Sequence, residues 1–264
     1  DLNITFLRFP GGSVTETYYT IADPDLSALN DPATGEPVTI IPFSDFMVFA
    51  AKQALPVTIT LPTRDNLTDE RDGNGDRFAA IDAPLLRQFV TDAMSGVFGE
   101  ATIAAFEIGN EYWGSGRMSA VEYGRVSSEM AHILEDTLDG LADQYGSRPD
   151  IHVQMGTNFN VSSLDERYAG TTDEILAALT EDYGLTFTQE VVRNSGEIDW
   201  TRVNNQLLLG AYETADEIAA VDGVIVHLFS RDPALPGQRD FQLGVVQDMW
   251  VQSGLFDDLS IYVS

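Results

Sequence analysis

Cysteine is absent from this chain of 264 residues. That excludes disulfides, thiolate metal sites and cysteine nucleophiles. Basic residues are scarce: 14 Lys and Arg stand against 42 Asp and Glu, a formal net charge of -28. Contact with phosphates needs clustered Lys and Arg, so nucleic acid and anionic membranes are set aside as partners. So acidic a surface reads as solubility, with counterions screening its self-repulsion. No apolar run approaches the ~20 residues that cross a bilayer, so no membrane span is expected. The opening residues, DLNITFLRFPGG, lack a basic start, a long apolar stretch and a small-residue cleavage site. They read as the middle of a domain rather than as a signal peptide. No repeat, low-complexity tract or linker divides the chain, so residues 1–264 read as one domain.

What is there is an ordinary globular composition, 44% apolar, with short β-branched runs alternating with helical patterns. Strands are expected at Ile4–Leu7, Val57–Leu61, Thr102–Ile108, Ile151–Met155, Gly223–Leu228 and Leu259–Val263. Between them, a helix from Ser44 to Leu55 stops at Pro56. Asp82 caps a second, with Pro84 in its first turn. Ser119 and Glu122 form a capping-box pattern ahead of a third, which should bury Val126, Met130, Ile133, Leu134, Leu138 and Leu141. Six strand-helix alternations predict an α/β fold with a parallel sheet. An open doubly wound sheet and a (β/α)8 barrel both fit this pattern. No GxGxxG follows the first strand, which weakens the dinucleotide-binding version.

The segment richest in chemistry is Phe106-Glu107-Ile108-Gly109-Asn110-Glu111-Tyr112-Trp113-Gly114. In α/β proteins the functional face lies at the C-terminal ends of the strands, and Asn110 and Glu111 fall where this strand should end. Glu107, Gly109 and Glu111 share one side of it. Carboxylates on so apolar a strand need partners if buried. Tyr112 and Trp113 offer an apolar wall and a stacking face, or ordinary packing at the rim. His227 follows the apolar run Gly223–Val226, and Asn158 and Asn160 follow Ile151–Met155. His132, on a helix, and His152, at the start of a strand, read as structural. Asp72-Gly73-Asn74-Gly75-Asp76 has oxygen side chains at alternate positions, as in a calcium loop. Arg77 and Ala83 occupy the glycine and final glutamate places, so the full pattern fails and a solvated turn is the reading. No metal is expected at the site.

Two pieces, Arg8-Phe9-Pro10-Gly11-Gly12 and Glu107-Ile108-Gly109-Asn110-Glu111-Tyr112-Trp113-Gly114, resemble segments of the (β/α)8 retaining glycosidases. The likeness is strongest to α-L-arabinofuranosidase-type members. The resemblance implies an incomplete TIM-type barrel holding strands two to seven. It implies that Glu111 is the general acid/base, and that Asn110 contacts the sugar's 2-hydroxyl. It also places Arg8 and an aromatic-flanked His227 near the substrate. The run His227-Leu228-Phe229 departs from the family, with Phe where a Tyr is usual.

Independently, a retaining glycosidase needs one carboxyl group that protonates the leaving oxygen and later deprotonates water. Burial and a neighbouring carboxylate tune such a group to working pH. The expectation is therefore a retaining O-glycoside hydrolase of poly- or oligosaccharides, without organic cofactor, in a secreted parent protein. The resemblance puts the nucleophilic Glu just beyond Ser264, so this segment alone is expected to be inactive. The rival reading is a non-catalytic carbohydrate-binding or structural barrel of a large acidic secreted protein. A nucleotide-binding open sheet is a third. Two geometric expectations follow: Glu111, Asn110, Arg8 and His227 should converge on one end of the sheet, and Glu107 should pair with Arg8.

Overall fold

The computed structural model describes residues 4–146, 148–158, 164–228 and 237–263. Six strands form one parallel sheet in sequential order: β1 (Leu7–Phe9), β2 (Val57–Leu61), β3 (Ile103–Ile108), β4 (Asp150–Gln154), β5 (Gly223–Val226) and β6 (Ser260–Val263). Helices fill the connections. Two antiparallel pairs, Ala28–Asn30 with Pro37–Thr39 and Leu67–Arg71 with Arg77–Ala79, are additions to the first two. Because strand order never reverses and such crossovers are right-handed, the connections return along one side of the sheet.

Alternation along the strands sorts its two faces. Phe9, Ile59, Phe106 and Ile151 lie in register in one row, with Val153 and Val224 in a neighbouring row of the same face. All six are buried. Full burial of each such side chain stabilises the fold by roughly 1.5–3 kcal/mol. The opposite face carries a polar row of Thr60, Glu107 and His152, then Gly223 and Ser260. Gly223 is required there: a Cβ would meet the Tyr262 ring at 2.6 Å and His152 at 2.8 Å. Its absence lets those two rings close to 3.8 Å between centroids.

The helices follow their sequence signals. Helix α1 (Gly12–Thr17) is a short turn after β1. In α2 (Phe43–Gln53), Phe43, Met47 and Ala50 are buried at helical spacing, while Phe49 is 53% exposed. Ala54, in the left-handed region at φ 53°, ends it ahead of Pro56. Asp82 caps α3 (Ala83–Met94) by accepting from the Leu85 amide. In α4 (Ala120–Tyr145) the Ser119–Glu122 capping box is formed in both directions. The expected core residues of α4 are buried from Val126 through Leu138, and Leu141 is half-buried.

The expectation of a (β/α)8 barrel is corrected by this topology. Among the described residues the parallel sheet holds six strands, mostly short, and it is open: β1 pairs only with β2, and β6 only with β5. A strand-helix repeat dictates parallel pairing, but closure depends on strand number, tilt and shear, which the alternation does not encode. The doubly wound alternative fails as well, since sequential order has no switch point. The first strand also lies later than expected. Ile4 and Phe6 stay over half exposed, and the residues that pair with Val57–Ile59 are Leu7–Phe9. The apolar run signalled a strand, but the partner selected its residues.

Candidate active site

The site forms where β3 ends. Gly109 adopts φ 75° and Glu111 φ 46°. A Cβ at Gly109 would lie 3.0 Å from Thr63 Cγ2, so the position needs glycine for space and for conformation. Glu111 has no such freedom, and an L-residue in this region costs roughly 1–2 kcal/mol. The turn is held from several sides. The Gly109 amide donates to the Leu61 carbonyl at 2.8 Å. The Asn110 amide donates to Glu16 Oε1 at 2.9 Å, and the Glu111 amide to Gln154 Oε1 at 2.7 Å.

Beneath the turn lies a network of buried polar groups. Arg8 Nε and Nη2 donate to Glu107 Oε2 and Oε1 at 2.5 and 2.6 Å, the paired fork that guanidinium and carboxylate favour. The pair expected from the sequence is thus present, with Glu107 1% exposed. Arg8 Nη2 also donates to Asn110 Oδ1 at 2.9 Å. Gln154 Nε2 donates to Glu107 Oε1 and to the Gly109 carbonyl, at 2.9 and 2.8 Å. Both its partners are acceptors and its oxygen accepts an N–H, so only one amide orientation fits. Helix α4 supports the floor through Tyr123, whose hydroxyl donates to the Ile108 carbonyl and accepts from the Gln154 amide.

Glu111 projects from this floor with its side chain 30% exposed, and its Oε1 lies 3.3 Å from His227 Nδ1. Burial pushes the His227 imidazole below its ordinary pKa, against the upward pull of Glu107 and Glu111. A neutral ring carrying its proton on Nδ1 donates to the carboxylate, and one carrying it on Nε2 leaves Nδ1 free to accept from a protonated carboxyl, two states that differ by one proton. The Trp113 ring meets His227 edge-on at 6.0 Å.

Arg8, Glu107, Asn110, Glu111 and His227 therefore converge at the C-terminal ends of the strands. Asn110 is buried, and among the described residues its Nδ2 has no hydrogen-bond partner. Tyr112 is fully buried and stacks on Tyr123 at 4.2 Å, which leaves it no face for a sugar. Asn158 is exposed after β4. Phe229, Asn160 and Ser264 lie outside the described residues. His152 sits mid-strand on the polar face rather than at a strand start.

Two members escaped the sequence reading. Gln154 had a signal, since Ile151-His152-Val153-Gln154 alternates apolar and polar residues and puts Gln154 on the face of Glu107. Glu16 had none. It sits in α1, 5% exposed, and forms no salt bridge among the described residues. Its Oε1 accepts from the Asn110 amide and Thr63 Oγ1, and its Oε2 from the Thr63 and Arg64 amides, all at 2.9–3.1 Å. Burial raises its pKa, against the pull of these donors.

The Asp72–Asp76 segment closes on itself. Asp72 Oδ1 accepts from the Asn74 and Asp76 amides, and Oδ2 from Arg125. Among the described residues no cluster of three or more His, Asp or Glu is disposed to hold a metal ion. None of their helices is long and apolar enough to cross a membrane. Clefts of about 1160 and 830 Å³ lie elsewhere, between the helical connections, and none of Arg8, Glu107, Asn110, Glu111 or His227 lines them. Compared with protein-family models and with curated proteins, the chain matches none.

Proposed function

We propose that this chain carries the acid/base half of a retaining O-glycoside hydrolase site acting on poly- or oligosaccharides. Glu111 is the proton donor and acceptor. The observation that carries the reading is Glu111 itself: a partly exposed carboxyl on a strained backbone at a strand's C-terminal end, 3.3 Å from a buried imidazole. Strain of this kind persists only where the surroundings over-determine it, and it clusters at functional sites. Glu111 gives its proton to the leaving oxygen in the first half-reaction and takes one from water in the second, and His227, 3.3 Å away, orients the carboxyl for both. The unpartnered Asn110 Nδ2 supports the reading too. A buried donor without an acceptor costs about 1–3 kcal/mol, which a substrate hydroxyl would offset. The resemblance of Glu107–Gly114 to the acid/base segment of retaining glycosidases points the same way.

Double displacement also needs an attacking carboxylate. Glu107 and Glu16 are unsuited, because both oxygens of each are engaged. The same observation keeps a second reading open, a carbohydrate-binding protein that does not cut. One experiment separates them: incubate the protein, and a longer version extending past Ser264, with aryl glycosides and with 2-deoxy-2-fluoro glycosyl fluorides. Turnover lost in Glu111→Gln, with a labelled carboxylate found by mass spectrometry, supports the hydrolase. Saturable sugar binding without turnover in either version supports the binding protein.

A further inference from the structure

Consecutive amides at the site are each held by a different buried side chain. Asn110 N–H goes to Glu16 Oε1 at 2.9 Å and Glu111 N–H to Gln154 Oε1 at 2.7 Å. The two anchors come from opposite directions in the fold, Glu16 from α1 after β1 and Gln154 from the end of β4. They bracket the left-handed positions Gly109 and Glu111. We infer that Glu16 and Gln154 are positioning residues that hold the Gly109–Glu111 turn in its strained form and thereby aim the Glu111 carboxyl at His227 and at substrate. The catalytic part of this inference rests on reading Glu111 as the acid/base; the structural part does not.

The hydrogen-bond inventory shows why these residue types are needed. The Gln154 side-chain amide is fully used on this side: its oxygen takes the Glu111 amide, and its two N–H groups go to Glu107 and the Gly109 carbonyl, with His227 Nε2 a longer contact at 3.5 Å. A glutamate would set an oxygen against both acceptors. Glu16 is the reverse case. It faces three backbone N–H groups and a hydroxyl, so both of its oxygens must accept. In Glu16→Gln one oxygen becomes an NH₂ group. The isostere keeps more bonds by presenting its remaining oxygen to the Thr63 and Arg64 amides. The NH₂ then faces Asn110 N–H, and Thr63 Oγ1 can turn to accept from it. That variant therefore releases one amide, Asn110, and leaves the loop after β2 in place.

Heteronuclear NMR on the whole 264-residue protein tests this without a substrate. In the wild type, scalar couplings across the hydrogen bonds should link Asn110 N to Glu16 Cδ and Glu111 N to Gln154 Cδ, and both amides should exchange slowly. Fast exchange of both, with no couplings, overturns the inference even if no variant folds. In Glu16→Gln the Asn110 amide should exchange about tenfold faster or more, the expected consequence of losing a buried hydrogen bond. Thr63 and Arg64 should keep their protection. Equal loosening of all three would mean a general packing role and would also overturn it.

The activity arm uses aryl glycosides with good and poor leaving groups, on whichever version of the protein turns over. Misaiming the acid should lower kcat about 10²-fold on poor leaving groups, which need protonation, and far less on good ones. KM should move little. A uniform fall across leaving groups would count against positioning. No turnover by the wild type, with the couplings present, would sink the hydrolase reading and leave the clamp standing.

Discussion

Two arginine-carboxylate clusters sit at opposite ends of the same sheet, and they differ in almost everything but composition. At the N-terminal end Arg148 bonds Glu135, Asp222 and, more distantly, Asp139. Its partners' side chains are 25–64% exposed. Water screens such pairs and they hold little net energy. At the C-terminal end Arg8 forks onto Glu107, which is 1% exposed, and the turn above them is strained at Glu111. There the charges are out of water, and the loss of either partner strands the other. Charge alone therefore does not distinguish the two ends; burial of the carboxylate does.

The largest expected effect tests whether the strained end is catalytic. Glu111→Gln should lower turnover of aryl glycosides with poor leaving groups by about 10²–10⁴-fold, the usual range for a general acid. The fold should be untouched, since only the carboxyl of Glu111 changes and its amide stays on Gln154. Turnover surviving this change would place the proton donor elsewhere.

The next test sets the two arginines against each other. Arg8→Met should destabilise the protein by about 3–5 kcal/mol, because Glu107 is left buried without its cation. Arg148→Met should cost about 1 kcal/mol or less. Urea denaturation of both variants gives the comparison directly. Equal losses would erase the distinction between the two ends.

Gly223→Ala probes the floor between them. Its Cβ would push into the His152–Tyr262 stack, so a loss of about 1–3 kcal/mol is expected. A thermal melt reads it, and an unchanged melting temperature would show that the edge strand β6 gives way freely.

Much of this was legible in the sequence, for identifiable reasons. The strand-helix alternation gave the parallel sheet and, within a residue or two, five of its six strands. Capping at Asp82 and Ser119 was readable because caps use local hydrogen bonds. The Arg8–Glu107 pair was expected from the family-like order of the two segments and from a buried carboxylate's need for a cation, and the meeting of Glu111 with His227 from placing each after an apolar strand run. Closure into a barrel did not follow, because curvature and strand number are set by long-range packing. Tyr112 looked like a sugar platform, but its neighbour Tyr123, eleven positions along the chain, takes its face. Glu16 was invisible because its partners are backbone amides of loops 47 to 94 residues away, which leave no residue-type signature.

The smallest effect concerns acid stability, and its sign is opposite to that of a histidine held in an ion pair. Burial depresses the pKa of His227 below its ordinary 6.5, with Arg8 adding to the fall and Glu107 and Glu111 opposing it. His152 is lowered as well, again chiefly by burial. As pH falls below about 6.5, the unfolded chain protonates these rings while the folded chain does not yet. The unfolded state then binds more protons, so folding stability declines from there down to the folded pKa of each ring and changes no further on their account. Each histidine contributes at most about 1.4 kcal/mol per pH unit within that window. Denaturation midpoints measured from pH 7.5 to 5 should therefore fall toward acid. The slope should flatten in His227→Gln and flatten further in the double variant with His152→Gln. A wild-type midpoint that rises toward acid would mean that Glu111 and Glu107 hold His227 protonated in the folded protein. The proton between Glu111 and His227 would then rest on the ring, and the site would differ from the N-terminal cluster by its charge as well as by its burial.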